Sequence, residues 1–408
     1  MTQAAKRGAP HNVAKVSMMV CNPFLNDARV QKEAETLVMA GYQVTVHAIA
    51  LPDVAPQFEI LDSGVRVQRH GASDSKVPHR SGGGKAERSR WEVFALVALR
   101  CRTMISMAWS IFREQPDVVH AHDVNMLPSA WLAARIARIP LIYDAHEIST
   151  DREGYRSFRG AVGWIEKKLA PRAAGAITTT DARAKFFARA YGIPRPLVLQ
   201  NRPRLMKSFG SNRIREELGL AQSWPIVLYQ GGLQPGRGLS RLVEAASSVP
   251  NTYFVFIGGG SQERELHEFT ERLGLAERIH FIPTVALSEL PSYTASADIG
   301  VQPIENTCLN HFTTDSNKLF EYVIAGLPVV ASDMPEIHKV VRQHELGLLV
   351  EPGNTKALAE AIQVLVSNPE KRELIARNAR EATKILNWEN QEHLLVELYE
   401  KVLNQSGK

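Results

Sequence analysis

Short apolar runs bounded by turn residues alternate with helical stretches along nearly the whole chain, and this alternation runs through twice. The first set of strands is expected at Val16–Cys21, Val44–Ile49, Val65–Arg69, Asp117–His120, Leu141–Asp144, Gly175–Thr178 and Leu197–Leu199. Helices fall between most of them, for example Asp27–Ala40 and Leu127–Arg138. The second set is expected at Ile226–Gln230, Thr252–Ile257, Ile279–Ile282, Ile299–Gln302, Pro328–Ala331 and Leu348–Val350. Strands that alternate with helices predict a parallel, doubly wound sheet. The sets part near Asn201-Arg202-Pro203-Arg204, where proline discourages regular structure. From Thr355 to Leu403 the period is helical and no further strand is expected. The expectation is therefore an α/β chain of two Rossmann-like domains, 1–200 and 201–386, facing each other across a cleft. Ligands of doubly wound sheets sit beyond the carboxyl ends of the strands, so the cleft is the default active site.

Length agrees with two domains, since 408 residues exceed what one core usually organises. Three scattered cysteines, Cys21, Cys101 and Cys308, give no metal spacing and no disulfide framework, which points to a reducing cytoplasm. No apolar segment of signal-peptide or membrane-spanning length is visible.

The net charge of +5 is unevenly placed. Between Arg66 and Arg102 nine basic residues face three acidic ones, Asp74, Glu87 and Glu92, which covers the whole excess. A helix over Trp91–Arg113 follows. At about 100° per residue it places Glu92, Arg100, Arg102, Thr103, Ser106, Ser110 and Arg113 on one side. Trp91, Phe94, Leu96, Val97, Leu99, Met104, Ile105, Met107, Trp109, Ile111 and Phe112 form a wide apolar face opposite. Segment 66–113 is thus a candidate for an anionic membrane surface, with packing on the sheet as the plain alternative. No recognition motif accompanies the basic stretch, so no nucleic-acid partner is expected.

Six stretches bear on the chemistry. In Asn317-Lys318-Leu319-Phe320-Glu321-Tyr322 a helix starts after a loop, ends at Ala325-Gly326 and runs into an apolar strand. Such a helix start offers free N–H groups and a positive dipole end to an anion, and Glu321 just inside can accept two hydrogen bonds from a ribose diol. Those are the needs of a nucleoside diphosphate. In Tyr229-Gln230-Gly231-Gly232-Leu233-Gln234-Pro235-Gly236-Arg237 a strand gives way to a glycine turn that lets backbone approach a phosphate, with Arg237 at the next helix start. A second turn, Gly258-Gly259-Gly260, needs no ligand to explain it. In the first domain two strands end in His120-Ala121-His122-Asp123 and Asp144-Ala145-His146-Glu147, polar clusters that packing alone explains poorly. The first loop, Asn22-Pro23-Phe24-Leu25-Asn26-Asp27-Ala28-Arg29, holds an N-cap at Asn26 or Asp27.

These motifs resemble the retaining GT-B glycosyltransferases of family 4, over nearly the whole chain from Val16 to about Tyr399. The resemblance implies transfer of a sugar from a nucleoside diphosphate sugar to a hydroxyl of a lipid-linked or saccharide acceptor. It implies no metal or other cofactor, since a cationic side chain can serve the leaving diphosphate. Arg237 matches the family's diphosphate lysine, while Gly232 stands where the family often has arginine, and Lys318 is the candidate substitute. Donor contacts are implied for Gly231, Gly232, Gly259, Asn317, Lys318, Leu319 and Glu321. Catalytic roles fall to Arg237 and to His146, which matches the group that reaches the donor sugar across the cleft. Asp27, Arg29, His122, Asp123 and Glu147 are implied on the acceptor side. Thr313 occupies the place of the family's first, sugar-facing acid, with Asp315 two positions later. Trp388 matches an aromatic of the last helix, so 387–408 is expected to pack back on the first domain. The expected setting is the cytoplasm, at the inner face of a membrane, in polysaccharide or glycolipid assembly. A non-catalytic nucleotide-sugar-binding partner and a GT-B epimerase stay open as alternatives. A dinucleotide-dependent dehydrogenase does not, because Gly-x-Gly-x-x-Gly does not follow the first strand.

Overall fold

The computed structural model describes residues 13–51, 54–71, 90–205 and 210–406, and for 90–97, 153, 154, 156 and 406 the backbone alone. Two sheets are present. The first is built from β1 (Lys15–Met19), β2 (Gln43–Ile49), β3 (Phe58–Ile60), β4 (Arg66–His70), β5 (Val118–His122), β6 (Leu141–Ala145), β7 (Gly175–Thr178) and β8 (Leu197–Val198). Their spatial order is β3-β4-β2-β1-β5-β6-β7-β8. The second holds β9 (Ile226–Gln230), β10 (Tyr253–Ile257), β11 (Ile279–Ile282), β12 (Ile299–Gln302), β13 (Val329–Ser332) and β14 (Gly347–Val350), in the order β11-β10-β9-β12-β13-β14. Every pairing is parallel except β3 with β4. The short antiparallel β3 is an addition to the expected strands. Its three residues are exposed or half-buried, so no continuous apolar run announces it.

Helices cover the first sheet as α1 (Ala28–Met39), α2 (Arg90–Glu114), α3 (Asp123–Ala137), α4 (Arg159–Leu169) and α5 (Asp181–Tyr191). Those of the second half begin with α6 (Arg213–Leu218), α7 (Leu239–Ala246), α8 (Glu263–Arg272), α9 (Leu290–Thr294), α10 (Leu309–Phe312) and α11 (Asn317–Ile324). They continue as α12 (Pro335–Gln343), α13 (Thr355–Ser367), α14 (Pro369–Ala382) and α15 (Glu392–Ser406). Central strands such as β5, β6, β9 and β10 are buried at every position, which is why apolar residues fall on both of their faces, with polar residues gathering toward the carboxyl ends of β5, β6 and β9.

The last helix returns to the first sheet. Leu395, Tyr399 and Val402 join the core of β1, β2 and α1. Trp388 joins the same core, fully buried, and its Nε1 donates to Thr36 Oγ1 at 2.8 Å. It lies in the turn between α14 and α15, not in the last helix as expected.

The α2 helix differs from its expected orientation. Met107, Ala108 and Ile111 point inward, and three residues of the polar side also meet the sheet: Thr103 is buried, Ser110 donates to Gln68 at 3.2 Å, and Ser106 Oγ lies 3.4 Å from His70 Nδ1, while Arg100, Arg102 and Arg113 stay exposed. Polar partners on β4 rotate the helix. Part of the apolar arc, Ile105, Trp109 and Phe112, is left exposed as a result. Trp91, Phe94, Lys76, Arg80, Lys85 and Arg88 of the same reading lie outside the described side chains. Among the described residues no helix is long and apolar enough to cross a membrane.

Candidate active site

The carboxyl ends of both sheets open on one cavity of about 1060 Å³. Its walls bring together Asp27, Arg29, His146 and Glu147 from the first half with Arg237, Asn317, Lys318 and Glu321 from the second.

On the second half, β9 ends in Gln230 and turns at Gly231, whose φ of +117° suits glycine. A Cβ there would lie 2.7 Å from Lys318 Cε, so the missing side chain is what lets Lys318 lie across the turn. Burial lowers the Lys318 pKa to about 7, and the neighbouring Arg237 adds to the effect, against the attraction of Glu321. Arg237 is half-buried on the same turn and forms no ion pair among the described residues. The next residue, Gly238, caps α7 at φ +72°, where a Cβ would meet Pro303 O at 1.9 Å. The α11 helix starts at Asn317 with no side-chain cap, and Ser316, Asn317 and Lys318 all line the cavity. Glu321, one turn in, accepts from Gln230 Nε2 at 2.6 Å; Gln230 is itself fixed by Thr294 at 2.8 Å. Leu319 lies in the core rather than on the cavity, and Gly232 and Gly259 sit on turns outside its lining.

On the first half, His146 follows β6 directly. Its Nε2 lies 3.1 Å from Asp144 and 3.3 Å from His122 Nδ1, and its Nδ1 is 3.9 Å from Asp123. Burial opposes its charge, but Asp144 and Asp123 outweigh that and raise its pKa to about 9. Burial alone would raise the Asp144 carboxyl; Arg29 and His146 hold it well below the usual carboxylate range. Arg29, implied on the acceptor side, lies on the cavity wall with its guanidinium bonded to protein. The residue is buried, donating from Nε to Asp144 at 2.8 Å and from Nη1 to Leu199 O at 2.7 Å. Its hydrogen bonds go to protein, so at the cavity wall it holds Asp144 in place. His122 is likewise buried behind His146 and outside the cavity lining. Asp123 and Glu147 both pair with Arg152, at 3.5 and 3.3 Å. Asp27 caps α1 through Val30 N at 3.2 Å and also faces the cavity.

Glu33, His120, His122 and Asp144 offer one ligand-type atom each within 4.8 Å of one another. Arg29 lies 3.1 Å from Glu33 and 2.8 Å from Asp144, so its guanidinium already shares both carboxylates.

Sequence reasoning missed the residues that join the halves. Thr313 is buried and outside the cavity lining; its Oγ1 accepts from Arg183 Nε at 3.3 Å. Arg183 stands in the first turn of α5, the unfavourable end of a helix for a cation, which was a readable signal. Asp315 lines the cavity but is held by Gln200 at 2.7 Å, and burial raises its pKa.

Two family models divide the chain between them. Glycosyl transferase 4-like domain matches residues 27–202 and Glycosyl transferases group 1 matches residues 210–382. The chain belongs to the family 4-like GT-B glycosyltransferases. This glycosyltransferase is 26% identical to the phosphatidyl-myo-inositol mannosyltransferase of Mycobacterium leprae, over 93% of its own length and 94% of the relative's. It is 24% identical to the alpha-D-kanosaminyltransferase of Streptomyces kanamyceticus, over 65% and 72%. Its fold matches sucrose-phosphate synthase from Thermosynechococcus elongatus at a TM-score of 0.79 and 19% identity, covering 96% of this chain and all of that one. Anabaena HepE, solved with UDP-glucose, matches at 0.75 and 19%, covering 95% and 99%.

Proposed function

We propose that this glycosyltransferase moves a sugar, with retention, from a nucleoside diphosphate sugar to a hydroxyl of a lipid-linked or saccharide acceptor at a membrane surface. The observation that carries the reading is Glu321, fixed by Gln230 beside two cationic side chains and an uncapped helix start on one cavity wall. A carboxylate so held suits a ribose diol. Lys318, Arg237 and the first amides of α11 suit the diphosphate, whose growing charge they stabilise as the bond to the sugar breaks. Across the cleft, His146 orients the sugar through the donor hydrogen bond of its charged imidazole. Closure of the two halves excludes water while the acceptor hydroxyl attacks.

The membrane part of the reading rests on α2, α3 and α4, which pack side by side. They expose Trp109 and Ile105 on α2, Ile136 on α3 and Trp164 on α4, with Arg102, Arg113, Arg135, Lys167 and Lys168 also exposed. Apolar rings interleaved with cations suit an anionic lipid surface.

The test of the donor is thermal stabilisation by a panel of nucleotides and nucleotide sugars, on the native chain and on Glu321→Ala. A ligand at about 100 times its Kd stabilises by about 2.7 kcal/mol. A shift with one nucleotide sugar that is lost in the variant supports the reading and names the donor. No shift with any overturns the donor reading for the chain alone, and a shift without transfer favours a non-catalytic nucleotide-sugar-binding partner. The anomeric configuration of the product, read by NMR, tests retention. Co-sedimentation with anionic vesicles that is released by high salt tests the surface; no binding to vesicles of any composition removes it.

A further inference from the structure

The loop between β12 and α11 crosses to the other half of the molecule. Asn310, on α10 and buried, uses both ends of its amide on one backbone residue: Oδ1 accepts from Ile148 N at 2.7 Å and Nδ2 donates to Ile148 O at 3.0 Å. This is the pairing a neighbouring strand would offer, made here by a side chain. Around it Asp151 accepts from the backbone N–H groups of Leu309 and Asn310, Arg183 donates to Asn310 O at 3.1 Å, and Thr180 donates to Thr313 O at 3.0 Å. Arg183 also donates to His146 O at 2.6 Å. On its other side the loop reaches the Arg237 turn. Glu305 N donates to Gly236 O at 3.0 Å, and His311 packs so close to Gly236 that a Cβ there would lie 2.5 Å from its ring.

A continuous run of contacts thus joins the strand end that carries His146 to the turn that carries Arg237. We propose that Asn310 is a positioning residue: its amide clips the loop onto Ile148, so the two groups reach working distance only in the closed molecule. Ile148 is two residues beyond His146, and both its backbone polar groups are buried with Asn310 as partner. Buried amides left without partners are costly, so the closed form depends on this pair. The assignment of roles to His146 and Arg237 rests on the donor reading above; the clip does not.

Hydrogen exchange and small-angle scattering on the full chain, without ligand, test it through Asn310→Ala. The expected result is roughly tenfold or faster exchange in both 146–152 and 305–316, a larger radius of gyration, and unchanged protection in β9 and β10. Unchanged scattering with unchanged exchange at 146–152 overturns the clip. Should Asn310→Ala fail to fold, Asn310→Asp serves. It keeps the acceptor for Ile148 N but sets an ionised oxygen against Ile148 O, so it opens at pH 8. It closes again near pH 3.5, below the free aspartate value of about 3.9, where a protonated carboxyl can donate. An Asn310→Asp chain whose radius is the same at both pH values overturns the proposal. Nucleotide binding by the native chain reports separately on the donor reading. Binding that holds while Asn310→Ala stays closed sinks the clip alone; absent binding with an opened Asn310→Ala sinks only the donor reading.

Discussion

The two halves of the cleft hold their functional groups in different ways. On the second half they come from two short stretches, Gly231–Arg237 and Asn317–Glu321, and are presented by backbone: a glycine turn, a helix start, one carboxylate braced by one amide. On the first half His146 is held by a buried ionic network whose members are far apart in the chain. Arg29 and Asp144 are 115 residues apart, and Tyr399 reaches His120 from 279 residues away. A site built from contiguous backbone should tolerate loss of a side chain structurally while losing its ligand. A site built on a buried ion pair should lose its fold first.

Asp144→Ala gives the largest effect and is the sharpest way to break this comparison. It takes from the buried Arg29 guanidinium the carboxylate that accepts from its Nε and Nη2, leaving Glu33 alone beside it, a change that costs about 3–5 kcal/mol. Glu321→Ala, at a half-buried position on the second half, is expected to cost under about 1 kcal/mol while abolishing nucleotide binding. Urea unfolding of the two variants checks both, and equal losses of stability would erase the distinction.

The pH dependence of stability probes the same network without a mutation. The folded pKa of His146, about 9, lies above the unfolded value of about 6.5. Its contribution is therefore fully present below pH 6.5 and is lost as pH rises through 9. Over that window the native chain should lose up to about 3 kcal/mol relative to His146→Gln. Parallel stability curves for the two proteins between pH 6.5 and 9.5 would show that the network holds no extra proton.

This contrast also explains what could be read from the sequence. Strand–helix alternation is a local property, and it placed both sheets with errors of a residue or two at their ends. The Asn317–Glu321 helix was equally legible, since its start, its carboxylate and its terminating Ala325-Gly326 are contiguous. Arg29 was not, because nothing near it in sequence signals that Asp144 and Leu199 O will surround it. Asn310 gave no signal either: its partner Ile148 is 162 residues away and uses only backbone atoms. The packing of α2 was not legible for a related reason. Helical period places Thr103, Ser106 and Ser110 on one side but says nothing of the polar partners waiting on β4.

On the second half, Lys318 gives a smaller and more specific handle. In the empty site burial and Arg237 hold its pKa near 7. A bound diphosphate favours the protonated form and raises that value. Binding above pH 7 therefore takes up a proton, and nucleoside diphosphate affinity should fall by up to about tenfold per pH unit from 7 until the bound-state pKa is reached. Below pH 7 the side chain is already charged and this slope vanishes. Calorimetry of UDP binding between pH 6 and 9, on the native chain and on Lys318→Met, measures it. The variant should bind more weakly and without the slope. A slope that survives in Lys318→Met would move the titrating group to Lys32, whose pKa burial also lowers to about 7 and which stands on α1 of the first half, drawn toward Glu321.

The smallest effect separates two roles at one residue. Asp27 caps α1 and faces the cavity, so loss of stability and loss of acceptor use are both open to it. Asp27→Ala removes the cap and costs about 1 kcal/mol, while Asp27→Ser keeps an acceptor for Val30 N and restores most of that. Transfer assayed on both variants then divides the roles, because serine caps the helix but carries no charge into the cleft. If Asp27→Ser recovers stability and transfer together, Asp27 is a helix cap alone. If stability returns and transfer stays low, its carboxylate works on the acceptor, and the first half owns at least one group presented from a helix start in the manner of the second.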